Sequence, residues 1–80
     1  MPTILREKGF RFYFYAEEGK EPAHVHADKG NGTLKVWLSN MKLVYAIELH
    51  ENEIKTALNI IQKNQKMLLQ RWDEFSKRKS

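Results

Sequence analysis

The spacing of apolar residues changes once along this chain, near residue 50, and this change predicts how the chain folds. Before it, apolar and polar residues alternate in short segments, as in β-strands. After it, apolar residues recur every three or four positions, as on one face of a helix. The sequence therefore predicts a single α+β domain (1–80). An antiparallel sheet of about four strands (1–50) is covered by one long C-terminal amphipathic helix (51–78), with Asn64 and Gln65 as the place where it would bend or split.

The alternating half predicts four strands, because a strand turns successive side chains to opposite faces of its sheet. The predicted segments are 10–15, 23–27, 33–38 and 42–47. The residues expected to face the core from the first three segments are Phe10, Phe12, Phe14, Ala23, Val25, Ala27, Leu34, Val36 and Leu38. Two glycines in the turn at 29–32 predict that a hairpin joins the second and third segments.

The second half predicts a helix that packs on the apolar face of this sheet. Its stripe consists of Ile54, Leu58, Ile61, Gln65, Leu68, Trp72 and Phe75. Either His50 or Asn52 could cap the first turn. Since some apolar helix surface could be left over, a homodimer and a monomer both remain open.

Composition narrows the classes of protein to which the chain can belong. It has no cysteine, which excludes disulfides and thiolate metal sites and favours a cytoplasmic location. No apolar run approaches the roughly 20 residues that span a bilayer. No nucleotide-binding or cofactor-binding motif is present, so we expect no cofactor. The net charge of +4 favours anionic partners such as RNA, although the same charge would also keep a small domain soluble.

The segment His24–His26 is the feature of the sequence that most strongly suggests a chemical function. Residues two apart in a strand project to the same side, so both imidazoles are expected to lie together. One could act as general base and the other as general acid near neutral pH. With Arg11 near a developing phosphorane and Tyr13 and Tyr15 stacking on bases, the pair would resemble a small metal-independent ribonuclease that uses the RNA 2′-hydroxyl as nucleophile.

Other interpretations of the same residues remain open. Asp28 continues the histidine face, and two histidines with one carboxylate can bind iron or zinc. Arginine and tyrosine are also common on a half-exposed sheet face that has no ligand. Trp37 lies opposite the apolar face of its strand, and an exposed tryptophan is typical of a contact surface.

Several short motifs in the first third of the chain occur in the order found in a known family. They are Pro2-Thr3-Ile4, Arg6, Gly9-Phe10-Arg11-Phe12-Tyr13-Phe14-Tyr15 and Glu21-Pro22-Ala23-His24-Val25-His26. Together they resemble a widespread bacterial family of unknown function whose members end in a helix near a tryptophan. Ala23 departs from the family pattern, which usually has a second proline there. Some members are described as the toxin of a DhiT-type toxin–antitoxin pair.

The resemblance and the residues together lead to a working hypothesis. The chain is expected to be a toxin-like protein that acts on RNA or translation, with a cognate antitoxin protein encoded nearby and no membrane association. The acid–base groups would be His24 and His26, with Arg11 or Arg6 on phosphate. The binding residues would be Tyr13, Tyr15 and Trp37. A non-enzymatic binding module and a metal-binding domain are the alternatives.

Overall fold

The computed structural model describes residues 3–15 and 21–79, which form a five-stranded antiparallel sheet followed by two helices. The strands pair in chain order, so the sheet is a simple meander. The elements are β1 (Thr3–Glu7), β2 (Phe10–Tyr13), β3 (His24–Lys29), β4 (Gly32–Trp37), β5 (Leu43–Ile47), α1 (Glu51–Lys63) and α2 (Gln65–Lys79). The predicted α+β class and antiparallel sheet are confirmed.

The strand β1 is the element that the sequence pattern does not predict. It forms a hairpin with β2 through a tight turn, in which Lys8 and Gly9 have φ angles of 52° and 85°. A two-residue turn with positive φ at both positions matches the twist of paired strands. The register shifts between Thr3 and Leu5, which breaks the alternation by which a strand is recognised. The sheet therefore has five strands where about four were predicted.

The predicted core faces of the strands are confirmed. Every predicted core residue is buried except Ala23, which is half-buried. The helices complete the core with Ala57, Ile60, Ile61 and Leu68. Because the helices cover this face, the opposite face of the sheet is left to carry polar side chains.

Asn64 separates α1 from α2, so the predicted single helix is corrected to two helices that meet at the predicted place. The Asn64 side-chain amide donates to the carbonyl of Ile60 at 2.8 Å, and the Gln65 side chain donates to the carbonyl of Leu38. Side chains that bond to backbone carbonyls in this way compete with the helix ladder. Of the two predicted candidates, His50 and not Asn52 is the N-cap of α1, and its backbone N–H donates to Glu53 at 2.8 Å.

The direction of α2 matters for the site described below. Its Trp72 lies edge-on to Phe14, with ring centroids 5.3 Å apart, and its Phe75 contacts the same Phe14 at 5.4 Å. These contacts bring the helix to the end of the sheet where β2 ends and β3 begins. Neither α1 nor α2, as far as residue 79, is long and apolar enough to cross a membrane.

Candidate active site

Cross-strand pairing gathers the predicted site residues on the sheet face opposite the apolar core. Tyr13 pairs with His26, and His26 pairs with Lys35 on the following strand. At the end of the sheet His24 pairs with Trp37. We call this surface the polar face and define it by Tyr13, His24, His26, Lys35 and Trp37. It combines two imidazoles, one ammonium group and two aromatic rings.

The two imidazoles lie together and are enclosed by aromatic rings. The ring centroids of His24 and His26 are 5.2 Å apart, and the residues are only 6% and 8% exposed. His26 stacks on Tyr13 at 5.5 Å with 16° between the ring planes. The edge of Tyr15 closes the other side of His26 at 5.7 Å. Packing therefore holds the pair in one arrangement, as a preorganised site requires.

His24 is also held by packing and by one hydrogen bond. Its ring centroid lies 4.9 Å from that of Trp72 on α2 and 5.8 Å from that of Trp37. Its Nδ1 lies 2.9 Å from the carbonyl oxygen of Pro22. A carbonyl only accepts, so Nδ1 carries the hydrogen and Nε2 is the nitrogen available for chemistry. The carboxylate of Glu21 lies 3.7 Å from the same Nδ1.

His26 is held neutral at physiological pH. Burial, and to a lesser extent the nearby charges of His24 and Lys35, lower its pKa from 6.5 to about 4. Among the described residues the His26 ring makes no hydrogen bond. Every side-chain nitrogen there that is completely buried does have a hydrogen-bond partner, so the nitrogens of His26 are not completely buried. The ring nitrogens therefore reach the surface through the small exposed part of the ring. A neutral imidazole with an available nitrogen can accept a proton.

The lowered pKa of His26 predicts a specific pH dependence of stability. Below pH 6.5 the unfolded chain binds a proton at this residue, whereas the folded protein does not do so until about pH 4. Stability present above pH 6.5 is therefore lost as the pH falls through this window, by up to about 3 kcal/mol. Urea unfolding at several pH values measures the loss. The variant His26→Gln should show a shallower dependence, and equal slopes in the two proteins would contradict the assignment.

The cation beside the histidine pair is Lys35, and not Arg11 as predicted from the sequence. Lys35 faces His26 across the strands, and its Nζ lies 4.8 Å from the centre of the Trp37 ring. Arg11 lies one cross-strand pair further along, with its guanidinium 4.4 Å from the centre of the Tyr13 ring. Tyr13 thus separates Arg11 from the pair. Arg6 is exposed on the edge strand opposite Arg11.

The structure thus brings together some of the predicted site residues and adds others. Tyr13, Tyr15 and Trp37 contact the histidines, whereas Arg11 and Arg6 lie to one side. Sequence reasoning missed Lys35, Glu21 and Trp72. The alternation of β4 could have revealed Lys35, because it lies two residues before Trp37 and must share its face. Contact between Trp72 and His24 depends on how α2 packs, and no local pattern indicates it.

Asp28 does not join the histidines. The Tyr13 hydroxyl donates to both of its carboxylate oxygens, at 3.1 Å each, and Arg11 lies 3.8 Å away. Burial and the Asp28 charge raise the pKa of Tyr13, which keeps its hydroxyl protonated as the donor. Across residues 3–15 and 21–79, no three His, Asp or Glu side chains are arranged to hold a metal ion. The two-histidine, one-carboxylate set predicted as a metal alternative does not converge there.

By its fold and its polar face, the chain is a small α+β protein that carries a histidine pair on an antiparallel meander sheet. The chain belongs to the DUF4160 family, a domain of unknown function, whose family model matches residues 9–73. This match confirms the predicted membership in a family of unknown function. The matched residues include His24, His26 and Trp72. No curated protein matches the chain, and no solved structure matches it.

Proposed function

We propose that this chain is a toxin-like cytoplasmic component of a two-gene module and that it cleaves RNA without a metal ion. One observation carries the proposal. A histidine held neutral, His26, lies beside a second histidine whose Nδ1 is engaged and whose Nε2 is available. Such a pair supplies a general base and a general acid within reach of one substrate.

The proposed chemistry is an internal transesterification. His26 takes the proton from a 2′-hydroxyl, whose oxygen attacks the adjacent phosphorus atom. The bond from phosphorus to the 5′-oxygen breaks, and protonated His24 gives its Nε2 proton to that oxygen. The products are a 2′,3′-cyclic phosphate and a 5′-hydroxyl.

Charge and aromatic surface around the pair support an RNA substrate. The negative charge that builds on the phosphoryl oxygens is met by Lys35, the cross-strand neighbour of His26. Tyr15 is 44% exposed and offers a ring face for stacking on a base. Arg11 and Arg6 lie further along the same end of the sheet, where they would contact phosphates that flank the scissile one.

Growth on induced expression tests the proposal in the cell. The wild-type chain should arrest growth, and the double variant His24→Ala, His26→Ala should not. His50→Asn is the matched control, because it replaces the remaining histidine of the chain and preserves a helix-capping side chain. If the double variant is expressed in folded form and arrests growth as strongly as the wild type, the acid–base role is wrong.

A protein-binding module is the second candidate function, and the exposed apolar surface of β5 favours it. Leu43, Val44, Tyr45 and Ile47 are each at least 38% exposed on this edge strand. Clusters of exposed apolar residues mark interaction sites. The partner would be an antitoxin protein encoded nearby, and the complex should survive replacement of both histidines. Val44→Asp should abolish that complex if β5 is the contact.

A further inference from the structure

A carboxylate of the chain itself occupies the cationic end of the polar face. One oxygen of Glu21 lies 2.6 Å from Lys35 Nζ, and the same oxygen lies 3.7 Å from His24 Nδ1. This oxygen is held between an ammonium group and an imidazole. An anionic oxygen is thus already bound to Lys35, the cation that the proposed chemistry assigns to the phosphoryl group.

We infer that Lys35 and His24 form a phosphate-binding subsite and that Glu21 occupies it in the free protein as an internal competitor. Assigning the phosphate to an RNA phosphodiester rests on the proposed function, whereas binding of a phosphate oxyanion to this subsite does not. Glu21 would then limit access of substrate to the histidine pair.

The burial of the cation supports a built subsite. The Lys35 side chain is only 12% exposed and lies over the Trp37 ring, so its ammonium group has few positions available. By contrast, the Glu21 side chain is 40% exposed and can swing into solvent. The ammonium group of Lys35 is therefore fixed in place, whereas the carboxylate of Glu21 can be replaced by another anion. An ion pair with one exposed member is weak enough to be exchanged for another anion.

The charges favour phosphate in this exchange. The Lys35 hydrogen bond lowers the pKa of Glu21, so the carboxylate is ionised at neutral pH and carries one negative charge. Inorganic phosphate at pH 7 carries between one and two negative charges and has more acceptor oxygens. It can therefore accept from Lys35 and approach His24 at the same time.

Titration with inorganic phosphate tests the inference directly. We would follow the indole fluorescence and the imidazole signals in NMR spectra, because Trp37 contacts both Lys35 and His24. Glu21→Gln should tighten phosphate binding by about threefold to tenfold, as expected from removal of a partly exposed ion pair. Lys35→Met should abolish binding in both backgrounds. Lys35→Arg should retain it, and Lys55→Met, which removes an exposed cation on α1, should leave it unchanged.

Two results would overturn the inference. The first is phosphate binding to Glu21→Gln that is equal to or weaker than binding to the wild type. The second is phosphate binding that persists in Lys35→Met while that variant keeps its native circular dichroism spectrum. In either case Glu21 is simply a surface ion-pair partner of Lys35.

The source of the phosphate is distinguished by repeating the titration with a short RNA and with DNA of the same sequence. Tighter binding of inorganic phosphate, RNA and DNA by Glu21→Gln supports the subsite even if no variant cleaves RNA, in which case the ribonuclease proposal fails alone. If the wild type cleaves RNA and Glu21→Gln binds phosphate no better, the ribonuclease proposal stands and the subsite is wrong.

Discussion

Replacing His26 with alanine is expected to slow cleavage of a short RNA by about 100-fold to 10,000-fold, the usual contribution of a positioned general base. The reason is specific to this residue. Its ring lies 5.2 Å from that of His24, and with its pKa lowered to about 4 it is neutral and able to accept a proton at pH 7. The ratio of the two rates is measured from initial rates with an end-labelled oligonucleotide in the presence of a chelator. Both rates are normalised to the amount of folded protein.

His50→Asn is the control for the His26 variant. It replaces a histidine that caps α1 and is not part of the polar face, so it should retain nearly the full rate. His24→Ala should lose activity to a similar extent, because the proton donor is then absent. A rate for His26→Ala within about threefold of the wild-type rate would rule out the assigned base, since a general base contributes far more.

Phe12→Ala is expected to unfold much of the protein at room temperature. Phe12 is 0% exposed, and its strand lies between β1 and β3. Removing a buried phenyl ring costs about 3–5 kcal/mol, and a domain of this size has little stability beyond that. In thermal unfolding followed by circular dichroism, the midpoint should fall by at least about 15 °C.

Leu69→Ala is the matched control for Phe12→Ala. It also shortens an apolar side chain, but Leu69 is 37% exposed on α2. Its loss should be below about 1 kcal/mol, because little apolar surface is returned to water. Similar midpoints for the two variants would show that Phe12 does not lie in the centre of the core.

Local periodicity predicts the parts of this fold that depend on a buried face. The apolar alternation of 10–15 and 33–38 places Phe12 and Val36 in the core, because a shift by one residue would expose the whole set. The break at Asn64 is predictable for the same reason, since a polar residue interrupts the apolar stripe there. Competition between its side chain and the helix ladder turns that interruption into a true break.

Hydrophobic periodicity does not predict an element that forms through strand pairing without a regularly buried face. β1 has Ile4 and Leu5 next to each other at a register shift, so it lacks the alternation of a strand. Its existence depends on the tight turn at Lys8 and Gly9 and on the ladder with β2. Those interactions arise only when the two segments are already adjacent.

The sequence predicts the site residues that lie on the same strand, but it does not predict which residues of other elements contact them. The alternation of β3 places His24 and His26 on the same side, and the structure agrees. The role of Arg11 on phosphate stays a prediction, and the sequence did not indicate Lys35, because only the register of β3 with β4 shows which residue faces His26. Trp72 reaches His24 because α2 packs against the end of the sheet, which is a tertiary effect.

Cleavage chemistry on a substituted substrate tests the central claim most directly. The purified protein is incubated with an RNA oligonucleotide in a chelator, and in parallel with the same oligonucleotide in which every 2′-hydroxyl is replaced by hydrogen. The account predicts 2′,3′-cyclic phosphate and 5′-hydroxyl products from the first and no cleavage of the second. Equal cleavage of both, or no cleavage of the RNA unless a divalent metal ion is added, would contradict the proposed use of His24 and His26.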